Sequence, residues 1–299
     1  MTSGAPLSRM GIAVALVVGC ATAAPAQRAA VKFTIDSNDL IRVPVTLGDS
    51  LRRSLIFDTG ASIDALAPSL ITALHGTPAG ELDAPRMTGE ILHIPLYRID
   101  RVRVGDLELK NALVGSVAIL DQMGLPGIMS LNDFRQQPVT LDFLHDELVP
   151  ESPSSLERRQ AAGVSIPIRS DDLRGEAIDM FADFSLAGVR GECVIDTGSQ
   201  APTISTRLLA LLGIDSSGPG VRVRRSTTIG GVTQISYLTT IPSVALAADT
   251  AIRQDRPHVI FSDIIYDCNV GLDWWKGKTM TIDLQTHRLL IGTSDITSR

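Results

Sequence analysis

Apolar and polar residues alternate along much of the chain with the period of two expected of half-buried strands. Val31 to Ile35 and Ile41 to Leu47 carry this pattern. Gly48-Asp49-Ser50 then turns the chain, and the wholly apolar Leu55-Ile56-Phe57 runs into Asp58. From Leu66 to Leu74 the spacing becomes helical: Leu66, Leu70, Ile71 and Leu74 share one face, with Pro68 near the start. Residues 76–89 are rich in turn formers and read as a loop. Ile91 to Val104 and Leu107 to Val117 read as strands joined by a hairpin at Gly105-Asp106. Gly124 to Phe134 follows, and the strand Val139 to Phe143 closes this half.

The second half repeats the plan. Phe181 to Leu186 is a strand, Ala187-Gly188 a turn, and Cys193-Val194-Ile195 an apolar strand running into Asp196. Ile204 to Leu212 reads as the matching helix, ended by Gly213. Two strands between Ser226 and Leu246 flank Gly230-Gly231, and Met280 to Leu284 closes the half. The repeat survives arithmetic. Asp58 and Asp196 differ by 138, and the same shift carries Leu66, Leu70 and Leu74 onto Ile204, Leu208 and Leu212. Nearer the ends a shift of 141 carries Ser130 onto Gly271, Thr140 onto Thr281 and Asp142 onto Asp283. Two copies of one unit predict a dimer-like fold within one chain. The division expected is residues 27–150 for the first lobe, 151–163 for a linker rich in Ser, Pro and charge, and 164–299 for the second lobe.

Composition narrows the class. The 299 residues suffice for two modest cores, and with 4% aromatics the packing falls to Val, Ile, Leu and Ala. The formal charge of −6, without a long run of either sign, argues against nucleic acid as a partner. Arg222, Arg224 and Arg225 alternate with other residues as the solvent face of a strand. Residues 1–26 have the form of an export signal: Arg9, an apolar run from Met10 to Gly19, and Ala24-Pro25-Ala26 before a cleavage position at Gln27. Val17-Val18-Gly19-Cys20 is the rival reading, a lipobox that would anchor the chain to a membrane through Cys20. Both place the mature chain outside the cytosol, in a bacterial periplasm or on its membrane face. There Cys193 and Cys268 can form a disulfide, or remain two buried thiols.

The chemistry lies in the two copies of Asp-Thr-Gly, Asp58-Thr59-Gly60 and Asp196-Thr197-Gly198, each at the end of an apolar strand. With the downstream apolar pair and small residue, and the closing strand of Val-Thr-Leu-Asp type, the chain resembles the aspartic protease superfamily. Each lobe is similar to a retropepsin-like unit, and the pair to the bilobal, pepsin-like arrangement. The resemblance implies a mainly β fold of two duplicated β-barrel lobes, each with a short helix. It implies Asp58 and Asp196 as catalytic carboxylates, Thr59 and Thr197 as hydrogen-bonded supports across the axis, and Gly60 and Gly198 as tight-turn positions. It places Ser130 and Gly271 at the small position behind each loop, where the family usually has Gly, and makes Gln200 a departure from the usual Ser or Thr. Thr88-Gly89 and Gly230-Gly231 are the flap candidates, and Tyr97 lies too far along its strand to serve as a flap tyrosine.

Two carboxyls side by side share one proton, so one can activate water while the other protonates a carbonyl. The expected activity is an exported aspartic endopeptidase acting on peptides or unfolded protein as a monomer. The alternative is an inactive relative that binds peptides or envelope partners in the same cleft. No cofactor or metal is called for: the five histidines show no ligand spacing. Ala61 follows one triplet and Ser199 the other, so the hydroxyl of Ser199 predicts unequal environments for the two carboxyls.

Overall fold

The computed structural model describes Met1, residues 29–227 and residues 233–293. The export segment with Cys20, the cleavage position before Gln27, and the flap candidates Gly230 and Gly231 lie outside the described residues. The described chain is mainly β and bilobal, built on three sheets. An eight-stranded sheet forms the first lobe and a ten-stranded sheet the second. Pairing of Ile41–Leu47 with Ile91–Val104 closes the first sheet on itself.

A six-stranded sheet lies between the lobes and draws strands from both. At its centre Val139–Asp142 runs antiparallel to Lys278–Asp283, with Val139 opposite Ile282, Thr140 opposite Thr281 and Leu141 opposite Met280. Residues related by the 141 shift thus pair about one point. The two hydroxyls there, Thr140 Oγ1 and Thr281 Oγ1, are 2.6 Å apart. This pseudo-twofold axis explains why the internal repeat builds one molecule with a shared centre instead of two separate beads.

In each lobe an apolar strand is gripped by a parallel neighbour, which fixes where its aspartate emerges. Leu51–Phe57 pairs with Gly127–Met129, and Val189–Ile195 pairs with Cys268–Val270. Phe57 and Ile195 are fully buried, as strands covered on both faces require. Cys193 and Cys268 stand directly opposite each other in the second of these ladders and are joined as a disulfide. The same shifts place Leu55 and Gly127 at this point of the first lobe.

Three local readings are corrected. Residues 76–89 are not a loop: Thr77–Pro85 is a strand that pairs with Ile91–Val104 to make one long hairpin. Its Gly and Pro residues are accommodated by a bulge between Pro78 and Gly80. The second-lobe helix is only a 3-10 turn, Thr206–Leu208, whereas the first lobe has the α-helix Pro68–Ala73. Ile204 is drawn into the strand Thr203–Ser205 instead, and the Ser205 hydroxyl accepts from Arg207 N–H and starts the turn there. The linker-like segment contains an α-helix, Pro153–Ala162, started by a capping box between Ser152 and Ser155. Its Arg159 holds the buried Glu151 at 3.2 Å, and Glu151 accepts from Thr140 at 2.6 Å, so the helix is tied to the shared centre. The arginine-bearing strand Arg222–Thr227 is exposed at every position, Val223 included. Among the described residues no helix is long and apolar enough to cross a membrane.

Candidate active site

Both Asp-Thr-Gly loops arrive at the axis from the ends of the gripped strands. Asp58 N–H donates to Met129 O at 2.9 Å and Asp196 N–H to Val270 O at 3.1 Å, continuing each parallel ladder by one bond. Thr59 and Thr197 then cross over. Thr59 Oγ1 donates to Ile195 O at 2.7 Å and accepts from Thr197 N–H at 3.1 Å. Thr197 Oγ1 donates to Phe57 O at 3.1 Å and accepts from Thr59 N–H at 3.0 Å. These four bonds are fully buried, where hydrogen bonds are strong and costly to leave unmade. They fix one loop against the other without involving the carboxyls.

The glycines allow that closeness. A Cβ on Gly60 would stand 2.5 Å from Asp196 Cγ, and one on Gly198 would collide with the Asp58 carboxyl. Gly60 N–H donates to Asp58 Oδ1 at 2.8 Å, and Gly198 N–H reaches both Asp196 Oδ1 at 2.9 Å and Asp58 Oδ1 at 3.1 Å. Burial, the Asp196 charge and the hydrogen bond between the two carboxyls push Asp58 well above the ordinary carboxyl range, against the pull of the two glycine N–H groups. The pair is therefore built to hold one proton between its two carboxyls.

The unequal environment predicted from Ser199 exists, but its agent is a different residue. Ser199 Oγ donates to Asn269 Oδ1 at 2.9 Å and also lies 3.2 Å from Asp196 O; it does not touch the carboxylate. Asn269, so oriented, gives its amide N–H to Asp196 Oδ2. The 141 shift carries Ile128 onto Asn269, and the 138 shift carries Ala61 onto Ser199. The first carboxyl thus has apolar residues where the second has a two-residue relay. One signal was available in the sequence: Asn269 is the single polar side chain in Cys268–Val270, a strand buried at all three positions.

Ser130 is equally specific. Its N–H and Oγ donate to Asp64 Oδ1 at 2.6 and 2.8 Å, and its Oγ accepts from Asn132 N–H at 3.1 Å. Asp64 is also hydrogen-bonded to the buried carboxyl of Asp133. The second lobe has Pro202 and Trp274 at these two positions, with Gly271 at the third. Gly271 has no room to be anything else, since a Cβ there would run into the carbonyls of Gln200 and Ser199. Behind the first loop, then, stands a polar network in which the Ser130 hydroxyl both donates and accepts; behind the second stands an apolar wall that leaves no room for a side chain. Trp274 and Trp275 are fully buried in that wall, with Trp274 Nε1 donating to Val244 O at 2.8 Å. Gln200 faces the other lobe, donating to Asn38 O at 3.0 Å and Asp39 Oδ2 at 3.2 Å.

Burial raises the Asp64 and Asp133 carboxyls, and Asp133 is raised further by the neighbouring Asp64 charge. Protons that the folded chain keeps and the unfolded chain, with ordinary carboxyls near 3.8, has released make folding weaken as pH rises. This contribution is whole below that ordinary value and is lost as pH climbs through the raised ones. Thermal unfolding followed from pH 4 to 7 is expected to show falling stability, by about 1.4 kcal/mol per pH unit for each retained proton. Asp133→Asn, which supplies an amide donor to Asp64 without needing a proton, is expected to flatten the curve.

The cleft above the dyad has a volume of about 620 Å³. Its roof is the hairpin turn 86–90, closed by Arg86 N–H to Glu90 O at 2.7 Å and an Arg86–Glu90 ion pair at 3.2 Å. Thr88 and Gly89 lie in this turn, Gly89 at a φ of +84°. The turn touches the second lobe: Ile265 N–H donates to Met87 O at 2.9 Å, and Asn269 Nδ2 is 3.4 Å from Met87 Sδ. A methionine stands over the dyad here, while Tyr97 pairs with Pro78 and Val114 away from the turn.

Residues 43–133, which include Asp58 and the Ser130 network, match the family model described as aspartyl protease. No curated protein sequence matches the chain. Among solved structures, basic 7S globulin from soybean is similar at 10% identity and a TM-score of 0.55, covering 92% of this chain and 96% of its own. That likeness spans both lobes and carries the fold alone. Residues 43–133 are therefore similar to the aspartyl protease family, and the chain as a whole has a mainly β, bilobal, pepsin-like fold.

Proposed function

We propose that the protein is an exported aspartic endopeptidase that hydrolyses peptide bonds with a water activated between Asp58 and Asp196. The observation that carries this reading is the asymmetric pair itself: Asp58 hydrogen-bonded to an Asp196 whose two oxygens accept from Gly198 and Asn269. Asp196 takes a proton from water as its oxygen bonds to the peptide carbonyl carbon. Asp58 gives its proton to the carbonyl oxygen, so a neutral gem-diol forms. On collapse, Asp196 returns its proton to the departing amine and Asp58 recovers one from a diol hydroxyl. Gly198 and Asn269 are fixed donors already aimed at Asp196, so they stabilise charge there without reorganising.

Asn269 acts through Asp196 as a positioning residue. Its N–H stabilises the singly ionised pair relative to the doubly protonated one. It favours the doubly ionised pair no further, because the same bond to Asp196 is made in both ionised forms. Asn269→Ile, which copies Ile128 of the first lobe, is expected to move the acid limb of the pH–kcat/KM profile upward by about one pH unit and leave the alkaline limb in place. A uniform loss of rate with an unchanged profile would mean that Asn269 only supports structure.

The reading is tested by calorimetric titration with a pepstatin-type inhibitor, a peptide carrying a secondary alcohol where the gem-diol forms. Tight binding to the mature chain that weakens sharply in Asp196→Asn supports it. Absence of binding, together with tight binding of ordinary peptides, favours a cleft that holds peptides without cutting them.

A further inference from the structure

The lobes also meet at two corners that the internal repeat relates. The 138 shift carries Ser62 onto Gln200, and each of these side chains reaches an aspartate of the opposite lobe. Gln200 Nε2 donates to Asp39, and Ser62 Oγ donates to Asp179 Oδ1. A backbone bond at the second corner, Ile178 N–H to Ser62 O at 2.8 Å, fixes the geometry. At the first corner the charge is compensated, because Lys276 Nζ stands 3.3 Å from Asp39 Oδ1.

At the second corner it is not. The 141 shift carries Arg135 onto Lys276, but Arg135 turns away to Asp172 at 2.7 Å and to Asn132. Arg169 is committed elsewhere: its Nε and Nη2 lie 2.7 and 2.8 Å from the two Glu192 oxygens, its Nη1 bonds Asp171, and its guanidinium lies over the Phe181 ring at 4.0 Å. Among the described residues Asp179 has Ser62 as its hydrogen-bond partner and no lysine or arginine paired with it. Asp171, directly opposite in the ladder, adds a second negative charge. Asp179 sits two residues before Phe181, the residue paired with Val194 at the approach to Asp196, and it lines the cleft with Ser62 and Tyr266. Apart from the dyad it is the only acid among the described residues that line the cleft, and Arg86, the one lining cation, is bound to Glu90.

We propose that Asp179 is a specificity-determining residue that receives a positively charged group of the bound peptide, a Lys or Arg side chain or a free terminal ammonium. The substrate cation takes the place that Lys276 occupies on Asp39. This rests on the cleft being a peptide site. Burial, with Asp171 alongside, raises the Asp179 carboxyl, while Ser62 and Arg169 oppose the rise. The charge on Asp179, and with it the preference for a cation, therefore grows from acid toward neutral pH.

The test compares the wild-type chain with Asp179→Asn, which keeps the shape and can still accept from Ser62. Matched peptides carry Lys or norleucine at successive positions, and a second set carries free or acetylated N-termini, which separates the two sources of charge. Both cleavage (kcat/KM) and binding (fluorescence anisotropy) are read. The wild type is expected to favour the charged member of one pair by roughly tenfold or more, and Asp179→Asn to collapse that ratio toward one. A wild type without a charge preference, or a preference that Asp179→Asn retains, overturns the proposal. If no peptide is cut, the endopeptidase reading fails, and the anisotropy ratios still decide the role of Asp179 in the same way.

Discussion

Asp58→Asn and Asp196→Asn are each expected to lower peptide hydrolysis by roughly 10⁴-fold or more, with the folded structure intact. The reasons differ between them. An amide at position 58 can donate a hydrogen bond but cannot surrender a proton to the carbonyl oxygen. An amide at position 196 cannot take a proton from water. Because the glycine N–H groups and the Thr59–Thr197 cross-bonds hold the loops, neither change removes what positions the site. Asp58 is raised mainly by burial, so a neutral amide there relieves a cost that grows with pH. Asp58→Asn should therefore unfold at the same or a higher temperature than the wild type at neutral pH while losing activity. That separation is read by thermal unfolding beside the kinetic assay. A variant that loses both together would point to a structural role for the carboxyl.

Gly271→Ala should be the most disruptive single-methyl change in the second lobe. The added Cβ would collide with the carbonyl of Gln200 and come within 2.9 Å of that of Ser199. Both carbonyls are already fixed, Ser199 O accepting from Leu272 N–H at 2.8 Å and Gln200 O from Asp273 N–H at 3.1 Å. Backbone cannot rotate aside as a side chain can, so a cost of about 3 kcal/mol or more is expected, with Ser199 and Asn269 displaced from Asp196. Ser130→Gly tests the opposite lobe. It opens no clash but leaves Asp64 without its hydroxyl donor and Asn132 N–H without its acceptor, and should cost about 1–3 kcal/mol. The serine that departs from the usual glycine is thus expected to be the better residue in its own lobe. Chemical denaturation of the two variants and the wild type reads both values.

Much of this was legible in the sequence because the duplication repeats its own marks. The apolar strands into Asp58 and Asp196, the hairpin at Gly105-Asp106 and the closing strands at Thr140 and Thr281 follow from period and turn chemistry, which are local. The strand Thr77–Pro85 was hidden because its Gly and Pro content reads as loop, while its partner Ile91–Val104 overrides that preference through long-range pairing. The Ser130–Asp64–Asp133 network and Asn269 were hidden for another reason. Each matters through a partner 66 or more residues away, and neither belongs to a repeated word. Both were nevertheless marked by a broken symmetry: Asp64 and Asp133 map onto Pro202 and Trp274, and Asn269 onto Ile128. In a duplicated chain, positions where one copy is polar and the other apolar are where the halves have divided their work.

The central claim is that the two lobes share one proton and cut peptides with it. Its most direct test is the rate of cleavage of an unfolded protein by the mature chain, measured from acid to neutral pH. The predicted result is a bell-shaped profile, rising as the pair loses its first proton and falling as it loses the second, and abolished by a pepstatin-type inhibitor. Cleavage at no pH in that range, or cleavage that persists in Asp196→Asn, would contradict it.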